Sequence, residues 1–199
     1  SHNMPDWKPS LAALVVLAVA ALLSLTGANC AFYASSGSGS SDPDEDDATD
    51  DIGVGRGQLL DAPVEGVQYE SGTLRGITGP DGEFRYESGG LVRFYIGDIP
   101  LGKPVPGKPV ITPLDLAADG DSLEDTAVIN IARLLQSLDG VPGDDRITVP
   151  AQVRERARAS NPALTGVIEH LEYADETRFV NAASQLLAVL TGDYPHTAV

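Results

Sequence analysis

Leu11–Ala34 carries no charged residue, and Leu11–Thr26 is almost wholly Ala, Leu and Val. An apolar run of this length predicts a hydrophobic helix that acts as a signal-peptide core or as one membrane crossing. A buried helix of a soluble core would need apolar neighbours on every side, and the polar flank 35–51 supplies none. Lys8 precedes the run and the first charges after it are acidic, which sets the N-terminus in the cytoplasm and the remainder outside. Ser1-His2-Asn3 ahead of Met4 reads as a cloning remnant.

Beyond residue 34 the pattern turns polar. Gly-Ser repeats are followed by seven acidic residues between Asp42 and Asp51. With only small alanine to bury, residues 35–53 are expected to form a solvated, disordered acidic linker. EF-hand geometry needs spaced ligands and a bend glycine, which this run lacks.

From residue 54 to 116 short β-branched and aromatic runs recur between glycines, and five strands are expected: Gln58–Leu60, Gly66–Tyr69, Thr73–Thr78, Glu83–Tyr86 and Leu91–Ile96. Val67 and Tyr69 share one face, as do Phe84 and Tyr86, and Val92, Phe94 and Ile96 form a third apolar row. Gly79-Pro80-Asp81-Gly82 is a turn signal that is expected to close a hairpin between Leu74–Thr78 and Phe84–Tyr86.

Residues 117–199 change to a helical period. Ser122-Leu-Glu-Asp125 reads as a capping box, followed by Val128, Ile131, Leu135 and Leu138 on one stripe. Pro150 suits the first turn of a second helix running to about Ala159. Asp175 can cap a third helix, with Phe179, Ala182, Ala183, Leu186, Leu187 and Leu190 before Gly192. The fold class is therefore α+β: a small antiparallel β-sandwich or sheet followed by about three α-helices. The N-terminal hydrophobic helix (1–34) and the linker (35–53) precede a β-rich subdomain (54–116) and a helical subdomain (117–199).

Composition narrows the function. The formal charge is −16, from 29 acidic and 13 basic residues. Such a surface repels nucleic-acid phosphates, so a nucleic-acid partner is not expected. Cys30 is the only cysteine, which leaves no intrachain disulfide.

Cys30 at the end of the apolar run resembles the lipidated cysteine of bacterial lipoprotein signals, in Leu25-Thr26-Gly27-Ala28-Asn29-Cys30. Asn29 stands where that pattern carries Gly, Ala or Ser. Cleavage near Thr26-Gly27-Ala28 and an uncleaved single-pass anchor remain the alternatives.

A second resemblance rests on Asp61-Ala-Pro-Val-Glu-Gly-Val-Gln-Tyr69, Gly76-Ile-Thr78 and Asp81-Gly-Glu-Phe-Arg-Tyr86. These strings resemble the carboxypeptidase-regulatory-like, transthyretin-like β-sandwich of bacterial surface proteins. The resemblance extends through Ile96–Gly102, Thr112–Leu116 and Asn130–Asp139, and this combination is similar to uncharacterised secreted bacterial lipoproteins and surface-protein modules. It implies location and architecture, with no catalytic set or shared ligand to carry over.

The candidate chemistry is sparse. His170 and His196 lack metal-ligand spacing, and no phosphate loop, dinucleotide fingerprint, Gly-x-Ser-x-Gly elbow or His-Glu-x-x-His helix is present. The residual enzyme reading is one such as a carboxylate-based hydrolase, and an enzyme is not expected. Asp139, Asp144 and Asp145 bracket a short loop and are the candidate calcium ligands, with Asp119, Gly120 and Asp121 a weaker set. Arg154 and Arg158, four apart, predict a solvated face or a contact with carboxylates. Asn130 and Gln136 are expected to be exposed or locally bonded. The expectation is a membrane-tethered, extracytoplasmic, non-enzymatic module on the periplasmic or cell-surface side of a bacterial membrane. It would serve envelope-protein interaction or structure, the alternative being an accessory that binds a small ligand or calcium.

Overall fold

The computed structural model describes residues 53–118 and 120–192. They form a mixed fold of several antiparallel sheets and helices. Strands lie at each of the five expected places: β1 (Val54–Leu59), β3 (Gln68–Ser71), β4 (Leu74–Ile77), β5 (Glu83–Glu87) and β6 (Leu91–Ile96). Five two-residue strands, too short to show a period, complete the sheets: β2 (Val64–Glu65), β7 (Ile99–Pro100), β8 (Val105–Pro106), β9 (Val110–Ile111) and β10 (Ile147–Thr148). The sheet orders are β5-β1-β9, β10-β2 and β4-β3-β6-β7, with β8 also on β6.

The expected hairpin is wrong in its partners. β4 folds back on β3 with Ser71 opposite Leu74, leaving Gly72 and Thr73 as a two-residue turn. Gly72 there adopts φ +56°, which costs a Cβ-free residue little. β5 pairs with β1 instead. Gly79–Gly82 is still a tight turn, with the Gly82 N–H donating to the Gly79 carbonyl at 2.8 Å, but it carries the chain from one sheet to another.

Aromatic rings facing glycines explain that choice. Gly55 lies opposite Tyr86 and Gly57 opposite Phe84 across β1 and β5. A Cβ on Gly55 would sit 2.3 Å from the Tyr86 ring, and one on Gly57 would sit 2.5 Å from the Phe84 ring. The ring fills the room a side chain would take, which shields a glycine-weakened strand. Tyr69 covers Gly76 in the same way across β3 and β4.

Phe84 then links strands of different sheets. Its ring meets Phe94 edge-on at 5.1 Å and Tyr69 at 6.0 Å, geometries that aromatic pairs favour. Leu59, Val92, Ile96, Ile99 and Ile111 are fully buried in the same hydrophobic cluster.

The helices are α1 (Pro113–Leu116), α2 (Thr126–Ser137), α3 (Ala151–Arg156) and α4 (Glu176–Leu190), with 3₁₀ turns at Pro162–Leu164 and Ile168–His170. The three expected helices are α2, α3 and α4, and α3 stops three residues early. Asp125, not Ser122, stands before α2, and its carboxylate accepts the Asp121 and Ser122 N–H groups at 2.8 and 2.9 Å. Thr112 and Asp115 pair at the start of α1, where the Asp115 carboxylate accepts from the Thr112 N–H at 2.9 Å. Asp175 caps α4 by accepting the Arg178 N–H at 3.0 Å.

The helical residues join the β-rich part through backbone pairing as well as packing. β10 runs parallel to β2, with Ile147 opposite Val64. Ile131, Leu134 and Leu135 of α2 and Phe179, Ala183 and Leu186 of α4 belong to the same buried cluster as Leu59 and Phe94.

Candidate interaction groove

β4 and β5 leave the Gly79–Gly82 turn as edge strands of separate sheets. Between them lies an open groove of about 620 Å³. Buried Tyr69 and Phe84 contribute to its wall, while Ile77, 50% exposed, and the prolines Pro80 and Pro109 form an apolar rim.

The edge of β4 offers more than side chains. Because Ser71 faces Leu74 across the closing turn and the Thr78 N–H donates to the Val67 carbonyl at 2.8 Å, alternate residues bond to β3. Arg75 and Ile77 therefore direct their backbone N–H and C=O away from it. At one end this edge already receives a carboxylate: Glu87 accepts the Thr73 N–H at 2.8 Å and its hydroxyl at 2.9 Å. These two bonds hold the Glu87 carboxyl below its usual range, the backbone one counting most.

The groove also concentrates positive charge in an acidic chain. Arg56 and Arg85 stand directly opposite one another on β1 and β5, and both line the groove beside Glu83.

Other polar residues hold the fold together. Asn130 is fully buried, its amide donating to the Tyr173 carbonyl at 3.0 Å and accepting from Arg133 at 3.1 Å. Arg133 also bonds Glu176 at 2.9 Å, which lowers that carboxyl's pKa. Gln136 donates to Asp61 at 3.2 Å. Burial pushes Asp61 up to about 6, against the lowering effect of that bond. Both amides were expected to be exposed or local, and both instead reach distant segments. Desolvation also raises the Tyr173 phenol above its ordinary range, and its hydroxyl donates to the Pro100 carbonyl at 2.9 Å.

The two helical arginines part company. Arg154 donates to the Gly66 and Val149 carbonyls at 2.8 and 2.9 Å. Arg158 lies 3.5 Å from Asp98, in the turn between β6 and β7.

Among the described residues no three Asp, Glu, His or Cys side chains gather as a metal ion would require. Asp139 accepts from the Val141 and Thr148 N–H groups at 3.1 and 3.0 Å, and Asp144 accepts from the Arg146 N–H at 3.0 Å. Asp145 is exposed and joins neither. The Asp121 backbone N–H donates to the Asp125 carboxylate, while Asp119 lies outside the described residues, as do Cys30, His196, the apolar segment 1–34 and the linker up to residue 52. No described helix is long and apolar enough to cross a membrane.

No residue pattern signals the groove, because it depends on β4 and β5 belonging to different sheets. Comparison with protein-family models, with curated proteins and with solved structures finds no match to this chain.

Proposed function

We propose that this chain is a membrane-tethered, extracytoplasmic, non-enzymatic module that binds an envelope protein through the groove between β4 and β5. The observation that carries the reading is the exposed β4 edge, with outward backbone groups at Arg75 and Ile77 beside the Arg56–Arg85 pair. An extended segment satisfies that edge by adding main-chain bonds to it, and acidic side chains on the segment suit the Arg56 side of the groove. Glu87 on Thr73 is the internal precedent for a carboxylate at this edge.

The tether comes from the apolar run 11–34, by lipidation at Cys30 or by a single crossing. The 35–53 linker then supplies reach. The ring contacts from Phe84 to Phe94 and Tyr69 support a sandwich of two sheets of the transthyretin-like kind.

A photo-crosslinking residue at position 77 of the full chain, expressed in a bacterial envelope, tests the reading. A discrete adduct from position 77, absent when the same residue replaces exposed Leu123, is the expected result. Equal adducts from both positions, or none, would sink it.

A further inference from the structure

A second concavity lies on the opposite half of the chain from the groove. It measures about 340 Å³ and is set between α4 and the segment 165–170. Its lining is unusual for so acidic a protein. The formal charge is −16, yet no Asp or Glu is among the lining residues.

The polar lining comes from two elements, with its available donors on α4. Arg178 and Asn181 lie one turn apart there, and Gln185 follows a turn beyond, so the three form a polar stripe beside the apolar face that carries Phe179 and Leu186. Thr165 and His170 line the other side, and the Thr165 hydroxyl donates to the Pro162 carbonyl at 3.0 Å. The floor between the two is buried Ala182, whose small side chain leaves the depth.

The polar groups are only partly committed. His170 Nδ1 donates to the Gly166 carbonyl, which fixes the ring and leaves Nε2 as an acceptor in the neutral imidazole. Arg178 Nε lies 3.9 Å from Asp175, too far for a hydrogen bond. Gln185 donates to the Asn181 carbonyl at 3.1 Å, so its amide oxygen and the Asn181 amide remain.

We infer that this cleft binds a small molecule through an oxyanion group, carboxylate or phosphate, held by the Arg178 guanidinium and the Asn181 amide. A guanidinium offers paired donors to such a group. A volume near the lower end for ligand sites limits the molecule to metabolite size. The inference is independent of the groove, which is lined by none of these residues.

Thermal melts of the full chain at matched ionic strength test it, with sodium phosphate in one arm, sodium acetate in a second and sodium chloride as the reference. Phosphate or acetate is expected to raise Tm by about 3 °C at ten times its Kd. Whichever arm shows the rise names the oxyanion. Arg178→Gln is expected to abolish the increment, and Arg146→Gln, in an exposed loop, to keep it. No increment in either arm, or an equal increment in Arg178→Gln, overturns the proposal. Should Arg178→Gln fail to fold, side-chain amide resonances of Asn181 in the wild-type chain decide. A saturating shift supports the site, and none up to roughly 100 mM anion overturns it.

Discussion

A carboxylate at position 61 is held against Gln136 where burial makes its charge costly. Its unfolded value is 3.8 and its folded value about 6, so the folded state binds the proton more readily. Ionised Asp61 thus subtracts roughly 2 to 3 kcal/mol above pH 6, and this group favours folding more as pH falls from 7 towards 4. Asp61→Asn is expected to raise stability at pH 7.5 and to flatten that dependence, as read by urea unfolding at pH 5 and 7.5. The glycines opposite aromatic rings make a second residue-scale prediction. At Gly57 a Cβ would meet the Lys108 carbonyl at 2.5 Å as well as the ring, so Gly57→Ala is expected to cost about 2 to 3 kcal/mol. Gly89 has open space around it and φ +76°, and Gly89→Ala should cost about 1 kcal/mol through backbone strain alone. Urea midpoints of the two variants compare the costs.

Among the elements, the buried amide of Asn130 ties α2 to the segment before α4. Asn130→Ala leaves the Tyr173 carbonyl without that donor and is expected to cost about 1 to 3 kcal/mol in the same assay. Glu176→Gln, which weakens a surface contact with Arg133, is expected to cost under about 1 kcal/mol. Element existence was legible in the sequence where a period persisted: β6 through Val92, Phe94 and Ile96, and α2 and α4 through their apolar stripes. The N-terminal half of β1 was not, because Gly55, Arg56 and Gly57 carry no strand preference of their own and depend on rings from β5. The partner of β4 was not legible either. Two turn signals flank it, and the shorter one, Gly72-Thr73, takes the strand. The candidate groove follows from that choice, so it was hidden for the same reason. Asp139 and Asp144 show the reverse case: their grouping in one loop suggested ligands, and in the structure each accepts N–H groups of that loop's own backbone.

For the whole molecule, self-repulsion is the dominant electrostatic fact. A formal charge of −16 destabilises the compact state at low ionic strength, and salt screens it over about 10 Å at 0.1 M. Tm is expected to rise between 10 mM and 500 mM sodium chloride, and a flat or falling profile in scanning calorimetry would contradict this. Composition announced that behaviour directly. Composition and periodicity could not announce the β2–β10 pair, since two residues on each side carry no pattern.

That pair also sets a clock. Glu65 and Thr148 are 83 positions apart, and a ribosome adding about 5–20 residues per second needs on the order of 4–17 seconds to travel between them. Throughout that interval Val64 and Glu65 have no strand beside them. The strand contact between the β-rich and helical parts can close only after Thr148 has left the ribosome.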